Sequence, residues 1–364
     1  MSNSISKKII SHAPGRVCLF GDHQDYLGLP IIACAIDRGI NIHGEKDNSN
    51  FIKIELPQIN TSRKININQS YKVDNGDLFL LALKVLRRYG CIPNHGLDLR
   101  VEGNLPINSG LSSSSALIIA WINLLIEYFG IDRPVTPELV AQIAYEAEVV
   151  EMNSSGGKMD QYTISLGQII YLETDESSKF EILNFPELNL VVGDSGLPKA
   201  THTVLKELKS GALSAINSIK KNIPDFEISK VLKSEIDSYM RYVPKQFQNY
   251  FRAAVLNHEI TKQAYIEFQQ KTTDLTQIGN LMTEHHLVLK NLLNLTAERI
   301  DNMVDAAMKN GALGCKIVGS GKGGCIVAIC TEENEKGIQE AMKNAGAKDA
   351  FKCVVSKGAE IVKT

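Results

Sequence analysis

The residues best suited to chemistry in this sequence are a run of small, hydroxyl-bearing ones: Pro106-Ile107-Asn108-Ser109-Gly110-Leu111-Ser112-Ser113-Ser114-Ser115-Ala116. The run lies between a predicted strand and a strongly apolar predicted helix. Small residues let a ligand approach the backbone closely. The first N–H groups of a helix point outward without partners, and the helix dipole favours an anion there. Hydroxyls add hydrogen bonds or oxygen ligands for a hard cation such as Mg²⁺. A plain helix cap needs one serine, whereas four stand here in succession. The pattern predicts a phosphate cradle; the plainer alternative is a capped helix after a flexible turn.

Three further segments bear chemistry. Gly319-Ser320-Gly321-Lys322-Gly323-Gly324 satisfies GxGxxG, but a dinucleotide turn links a strand to a helix. Here the predicted strand Cys325 to Cys330 follows at once, so a glycine-rich hairpin near a ligand is the better reading. It is not a Walker A loop, because Gly323 follows the lysine where Ser or Thr is needed. After the apolar strand ending at Phe20, the polar side chains Asp22, His23, Asp25 and Tyr26 arrive together. Carboxylates accept hydrogen bonds from sugar hydroxyls, and Tyr adds a flat face; a polar hairpin loop would look similar. Finally, Asp160 lies in Ser154-Ser155-Gly156-Gly157-Lys158-Met159-Asp160-Gln161-Tyr162, among small and apolar residues that could hold a carboxylate in a cleft. An ordinary aspartate in a turn is the plainer alternative.

The elements that must position these groups follow from periodicity. Strands are expected at Lys8 to Ser11, Val17 to Phe20, Ile31 to Ile36, Ile40 to Gly44, Lys53 to Leu56 and Gly96 to Val101. Helices are expected at Asp77 to Tyr89, Ser113 to Phe129 and Thr136 to Met152. Gly167 to Leu172 and Leu188 to Val192 read as strands, and Thr201 to Leu295 as mainly helical. The end alternates again: strands Cys315 to Val318 and Cys325 to Cys330, a helix from Glu332 to Ala345, and a strand from Phe351 to Val355. The class is α+β. With 364 residues the chain fits two domains, divided near residue 180 into 1–180 and 181–364.

Composition narrows the partners. The net charge is -2, so no global basic field recruits nucleic acid or an anionic membrane. The longest apolar run, Ala116 to Ile126, is too short to span a bilayer, and the N-terminus lacks the apolar stretch of a signal peptide. The seven cysteines are odd in number, scattered and without a CxxC pair, which predicts buried thiols. These features suit a cytoplasmic enzyme with a small-molecule substrate and no nucleic acid or membrane partner; a monomer or weak dimer is the expectation, though none of these features sets the oligomeric state.

Together and in order, the segments resemble the GHMP kinases, a family that includes galactokinase, homoserine kinase and mevalonate kinase. The matching stretches are Pro14-Gly15-Arg16-Val17 with Gly21-Asp22-His23, Gly110-Leu111-Ser112-Ser113-Ser114, and Gly319 to Cys325. Gly15-Arg16-Val17-Cys18-Leu19-Phe20-Gly21-Asp22-His23-Gln24-Asp25-Tyr26 and Met159-Asp160-Gln161 look most like galactokinase. The resemblance implies a ribosomal protein S5 domain 2-like N-terminal domain and a ferredoxin-like C-terminal domain, with the active site between them. It implies transfer of the γ-phosphate of ATP, with Mg²⁺, to the anomeric hydroxyl of a sugar, galactose first. Other acceptors (a uronic acid, a heptose or mevalonate) and a catalytically silent sugar sensor are the rival readings.

The resemblance also implies roles. Asp160 would orient or deprotonate the attacking hydroxyl, and Arg16 would keep Asp160 ionised and stabilise the phosphoryl. Ser114 and Glu148 would hold Mg²⁺. Ser109, Gly110, Leu111, Ser112, Ser113, Ser114 and Ser115, with Gly319, Gly321 and Gly323, would bind ATP. Asp22, His23, Asp25, Tyr26 and the backbone at Gly157 would bind the sugar. The chain departs from galactokinases in carrying Asp22 for Glu, Gly156-Gly157-Lys158 for Cys-Gly-Ile, and no Tyr in Gly193 to Thr203. Lys158, Lys199 and His202 would suit a charged acceptor.

Overall fold

The computed structural model describes residues 8–69, 73–74, 76–106, 109–183, 188–198 and 201–363. The β-rich start forms long strands: β1 Ile9–Phe20, β2 Ile31–Asp47, β3 Phe51–Leu56 and β4 Thr61–Asn66. The pairs of short strands expected at 8–20 and 31–44 are thus single strands. The β1–β2 ladder carries both across their interruptions, with register shifts at Pro14/Gly15 and Cys18/Phe20.

Next come α1 Leu78–Arg88, β5 Gly96–Gly103, α2 Ser113–Phe129 and α3 Pro137–Tyr145. Helix α2 buries residues on all sides, Trp121 and Ile118 among them, as a helix apolar all round must. It lies against β1 and β2. The expected helix to Met152 does not run through: α3 passes into a π-helical turn, Glu146–Val150. Helix α4 Met159–Leu166 was not foreseen from its small and apolar residues. Strands β6 Ile169–Leu172 and β7 Phe180–Leu183 complete this half.

The second half runs β8 Asn189–Asp194, α5 Thr201–Lys220, α6 Ile236–Met240, α7 Gln248–Phe268, α8 Leu275–Asn291 and α9 Glu298–Lys309. It continues with β9 Gly314–Val318, β10 Cys325–Cys330, α10 Glu335–Asn344, β11 Asp349–Cys353 and β12 Glu360–Lys363.

Two sheets result. One has eight strands along the path β12-β1-β2-β5-β3-β4, with β6 and β7 branching from β2. The other has four antiparallel strands in the order β11-β8-β10-β9. With α9 before β9 and α10 before β11, that order is ferredoxin-like. Strand β12 pairs with β1, so the end of the chain belongs to the first sheet, although the division at residue 180 assigns it to the second half. Bridges Ile36–Val355 and Gly167–Lys357 lead it back. One core cluster joins Ile32 and Trp121 to Val192 and Val327 of the second sheet. Among the described residues no helix is long and apolar enough to cross a membrane.

Candidate active site

The loops at the ends of β1, β5, α3 and β9 converge on one cleft of about 520 Å³, a size that suits a small ligand. Arg16 leaves β1 almost fully buried. Its Nε donates to Asp160 Oδ1 at 2.7 Å, its Nη2 lies 2.6 Å from the same oxygen, and its Nη1 donates to the Gly110 carbonyl. A charge-assisted pair of this kind fixes the carboxylate in place. Asp160 stands in the first turn of α4.

The other carboxylate oxygen, Oδ2, accepts from Ser112 Oγ. Ser112 precedes α2 with a left-handed φ of 57° and makes no side-chain cap. The serine before the helix therefore serves Asp160 rather than capping, and Ser113, Ser114 and Ser115 of the first turn of α2 line the cleft. Gly110, at φ +96°, takes a backbone conformation that suits glycine. Leu111 is wholly buried in the core; its carbonyl accepts from the Arg16 N–H at 3.1 Å.

The π turn aims Glu148 inward, as such turns often do at functional sites. Ser115 Oγ and Gln161 Nε2 each donate to Glu148 Oε2 at 2.7 Å. Burial pushes its carboxyl above the usual range, against those hydrogen bonds. Among the described residues no lysine or arginine pairs with it. Ser114 stands beside it on the cleft wall. A carboxylate and a hydroxyl without a cation are the hard oxygen donors that Mg²⁺ takes, so these residues fit that ion.

Ser109, Ser113, His23, Tyr26 and Gly319 also line the cleft. Asp25 does so against Gly157, where a β-carbon would overlap its carboxyl group. Burial first, and then the charge of Asp160, raises Asp25 to about 6. Asp22 lines the floor but is buried, with Oδ2 2.6 Å from Lys316 Nζ.

Gly321 and Gly323 do not line the cleft. A side chain on Gly321 would strike Leu295, and one on Gly323 the carbonyls of Leu197 and Pro198. The hairpin reading holds, since β9 and β10 pair antiparallel. It needs more positive φ angles than expected: Gly319, Gly321, Gly324 and also Lys322. Lys158 is turned away as well. Its Nζ donates to the Asp175 carbonyl at 2.5 Å and to Ser178 Oγ at 2.6 Å, which pins the β6–β7 connection. Lys199 lies outside the described residues, as does the side chain of His202.

Sequence reasoning missed Leu78, Val149, Met152 and Leu205, which supply apolar walls. As apolar residues of expected helices they carried no separate signal. Lys316 did carry one: a lysine inside a short run that reads as a buried strand.

A serine-lined helix start beside a held carboxylate suits a phosphotransferase. Residues 77–168 match the GHMP kinases N terminal domain, residues 265–348 the GHMP kinases C terminal domain, and residues 3–46 the galactokinase galactose-binding signature. A galactokinase of Thermococcus kodakarensis is 30% identical over 333 residues, 87% of this chain and 88% of that one. A mevalonate kinase of Thermococcus sibiricus is 26% identical over 348 residues, 93% of this chain and 94% of that one. The solved structure of Lactococcus lactis galactokinase complexed with galactose superposes with a TM-score of 0.85 at 21% identity, covering 97% of this chain and 95% of that one. The chain belongs to the GHMP kinase family. Its members use ATP, and it is accordingly a phosphotransferase with an alcohol group as acceptor.

Proposed function

We propose that this enzyme is a galactokinase, transferring the γ-phosphate of ATP to the anomeric hydroxyl of galactose to give the sugar 1-phosphate. One observation carries the choice of acceptor. The described residues lining the cleft include the carboxylates Asp22 and Asp25, while the lining lysines and arginines amount to Arg16 alone, already committed to Asp160. Sugar hydroxyls donate to carboxylates. A mevalonate carboxylate would need a cation and would meet like charge. The match to a galactose-binding signature over residues 3–46 supports the same choice.

Asp160 takes the proton of the anomeric hydroxyl as its oxygen bonds to Pγ and the bond from Pγ to the bridging oxygen breaks, releasing ADP. Arg16 holds Asp160 in place and offers positive charge to the transferring phosphoryl, while Ser112 fixes the carboxylate plane. The N–H groups of Ser113 to Ser115, with Ser109 and Gly110, cradle the phosphates. Ser114 and Glu148 would hold Mg²⁺, which when bound neutralises phosphate charge. Leu78, Val149 and Met152 offer an apolar wall for the purine. Tyr26 and Leu205 do the same for the sugar ring, and Asp25, Asp22 and His23 bind its hydroxyls. The seven cysteines, buried and outside any disulfide, support a reducing cytoplasmic setting.

ADP release from the purified protein across a panel of hexoses, pentoses and mevalonate tests this reading, with the phosphorylated carbon located by NMR. Turnover of galactose at C1 is expected. Turnover of mevalonate with none of any sugar would overturn it.

A further inference from the structure

Lys316 lies on β9, a strand buried along its whole length, and is itself 0% exposed. A buried ammonium is costly unless paired and hydrogen-bonded. Nζ donates to Asp22 Oδ2 at 2.6 Å and to the Cys18 carbonyl at 3.0 Å. The pair joins residues 294 apart, so the four-stranded sheet reaches under the floor of a cleft lined mostly by loops and helix starts of the first half of the chain. Asp22 Oδ1 is also buried and accepts no hydrogen bond among the described residues. An acceptor left over beside a ligand cleft is a group awaiting a donor.

Among the described residues Lys316 pairs with this one anion. His285 of α8 stacks on Phe20, with ring centroids 6.2 Å apart, and is held neutral, at about 3, by burial first and Lys316 next. Cys18 donates its thiol to the Phe20 carbonyl, and Arg16 is committed to Asp160. His23 adjoins Asp22 in the chain. Burial, the largest influence, would raise the Asp22 carboxyl; Lys316 first, then His285 and His23, together bring it down to about 2.

We propose that Lys316 is a positioning residue for the acceptor: it takes one oxygen of Asp22, keeps that carboxylate charged in the cleft floor, and leaves Oδ1 as a single acceptor for one substrate hydroxyl. This rests on the sugar-kinase reading. It gives the C-terminal sheet a part in acceptor recognition that ATP binding does not share.

The test is steady-state kinetics of the full chain over a pH range, with Lys316→Met, Lys316→Arg and the neutral pair Asp22→Asn/Lys316→Gln. Lys316→Met should raise the acceptor KM about tenfold or more, the scale of one charge-assisted hydrogen bond, and leave the ATP KM within about twofold. The acid side of its kcat/KM profile for the acceptor should steepen from one proton towards two, because Asp22 then titrates as a buried carboxyl. Lys316→Arg should restore most of the acceptor KM. The neutral pair removes both buried charges, so it should fold even where Lys316→Met does not, and its acceptor KM should stay raised. A neutral pair with the wild-type acceptor KM, or a Lys316→Met protein whose ATP and acceptor KM rise together, would overturn the proposal. The measurements use whichever alcohol wild type phosphorylates, so turnover of another sugar overturns only the choice of galactose, and turnover of mevalonate alone overturns the sugar reading while the Lys316 kinetics are still read on that acceptor.

Discussion

Arg16 and Asp160, 144 positions apart, meet through two donors on one carboxylate oxygen, Nε at 2.7 Å and Nη2 at 2.6 Å. If Asp160 takes the hydroxyl proton, Asp160→Asn should lower kcat by about 10²- to 10⁴-fold with the acceptor KM changed only a few-fold. Arg16→Lys should recover little, because a point charge cannot reproduce the guanidinium's fixed set of donors. Coupled ADP-release assays check both. A fully active Asp160→Asn enzyme would remove the carboxylate from the mechanism.

Ser112 separates two roles that the serine run left together. Its hydroxyl rests on Asp160, so Ser112→Ala should lower kcat by about tenfold, the worth of one charged hydrogen bond, with the ATP KM within about twofold. A large rise in ATP KM at unchanged kcat would return Ser112 to the phosphate cradle.

Asp25, raised to about 6, predicts an acid limb. A raised carboxyl is protonated below its shifted value, and a protonated Asp25 loses acceptor capacity towards sugar hydroxyls. The acceptor kcat/KM should fall as pH drops through about 6. Asp25→Asn should flatten that limb while lowering the plateau. A limb of the same midpoint in Asp25→Asn would assign it elsewhere.

Gly157 tests the packing of the acceptor end. A methyl group there would overlap the Asp25 carboxyl group. Gly157→Ala should raise the acceptor KM by about tenfold through displacement of Asp25, and should lower the melting temperature by only a few degrees, because the methyl also presses on the Asp25 backbone. A collapse in melting temperature would mark Gly157 as a folding requirement instead.

Glu148→Gln tests the ion. The isosteric amide keeps the hydrogen-bonding shape and removes the charge, so the Mg²⁺ concentration for half-maximal rate should rise about tenfold or more. Chelation by EDTA should abolish turnover of the wild type. Identical Mg²⁺ curves for the two proteins would leave Glu148 a structural acceptor of Ser115 and Gln161.

Much of this was legible from residue type and spacing. The apolar run of α2 with small residues before it, the strand–glycine turn–strand order at 315–330, and the cluster Asp22 to Tyr26 all declare themselves locally, because helix starts, tight turns and strand alternation are short-range physics. The π turn was not legible. Glu146–Val150 has ordinary helical composition, and the α1 helix it packs against lies far away in sequence. Helix α4 escaped for a related reason: eight residues are too few for periodicity to speak.

What the sequence determined by itself is which groups exist: a serine-rich helix start, the carboxylates at 22, 25, 148 and 160, the Arg16 side chain and a glycine hairpin. Tertiary structure decided their assignments. It turned Ser112 to Asp160 rather than to the helix, sent Lys158 to the β6–β7 connection, sank Gly321 and Gly323 into loop packing, and set Lys316 beneath Asp22. Each of those outcomes depends on a partner far away in sequence, and a side chain's partner is fixed by which charges and donors the folded chain brings within about 3 Å.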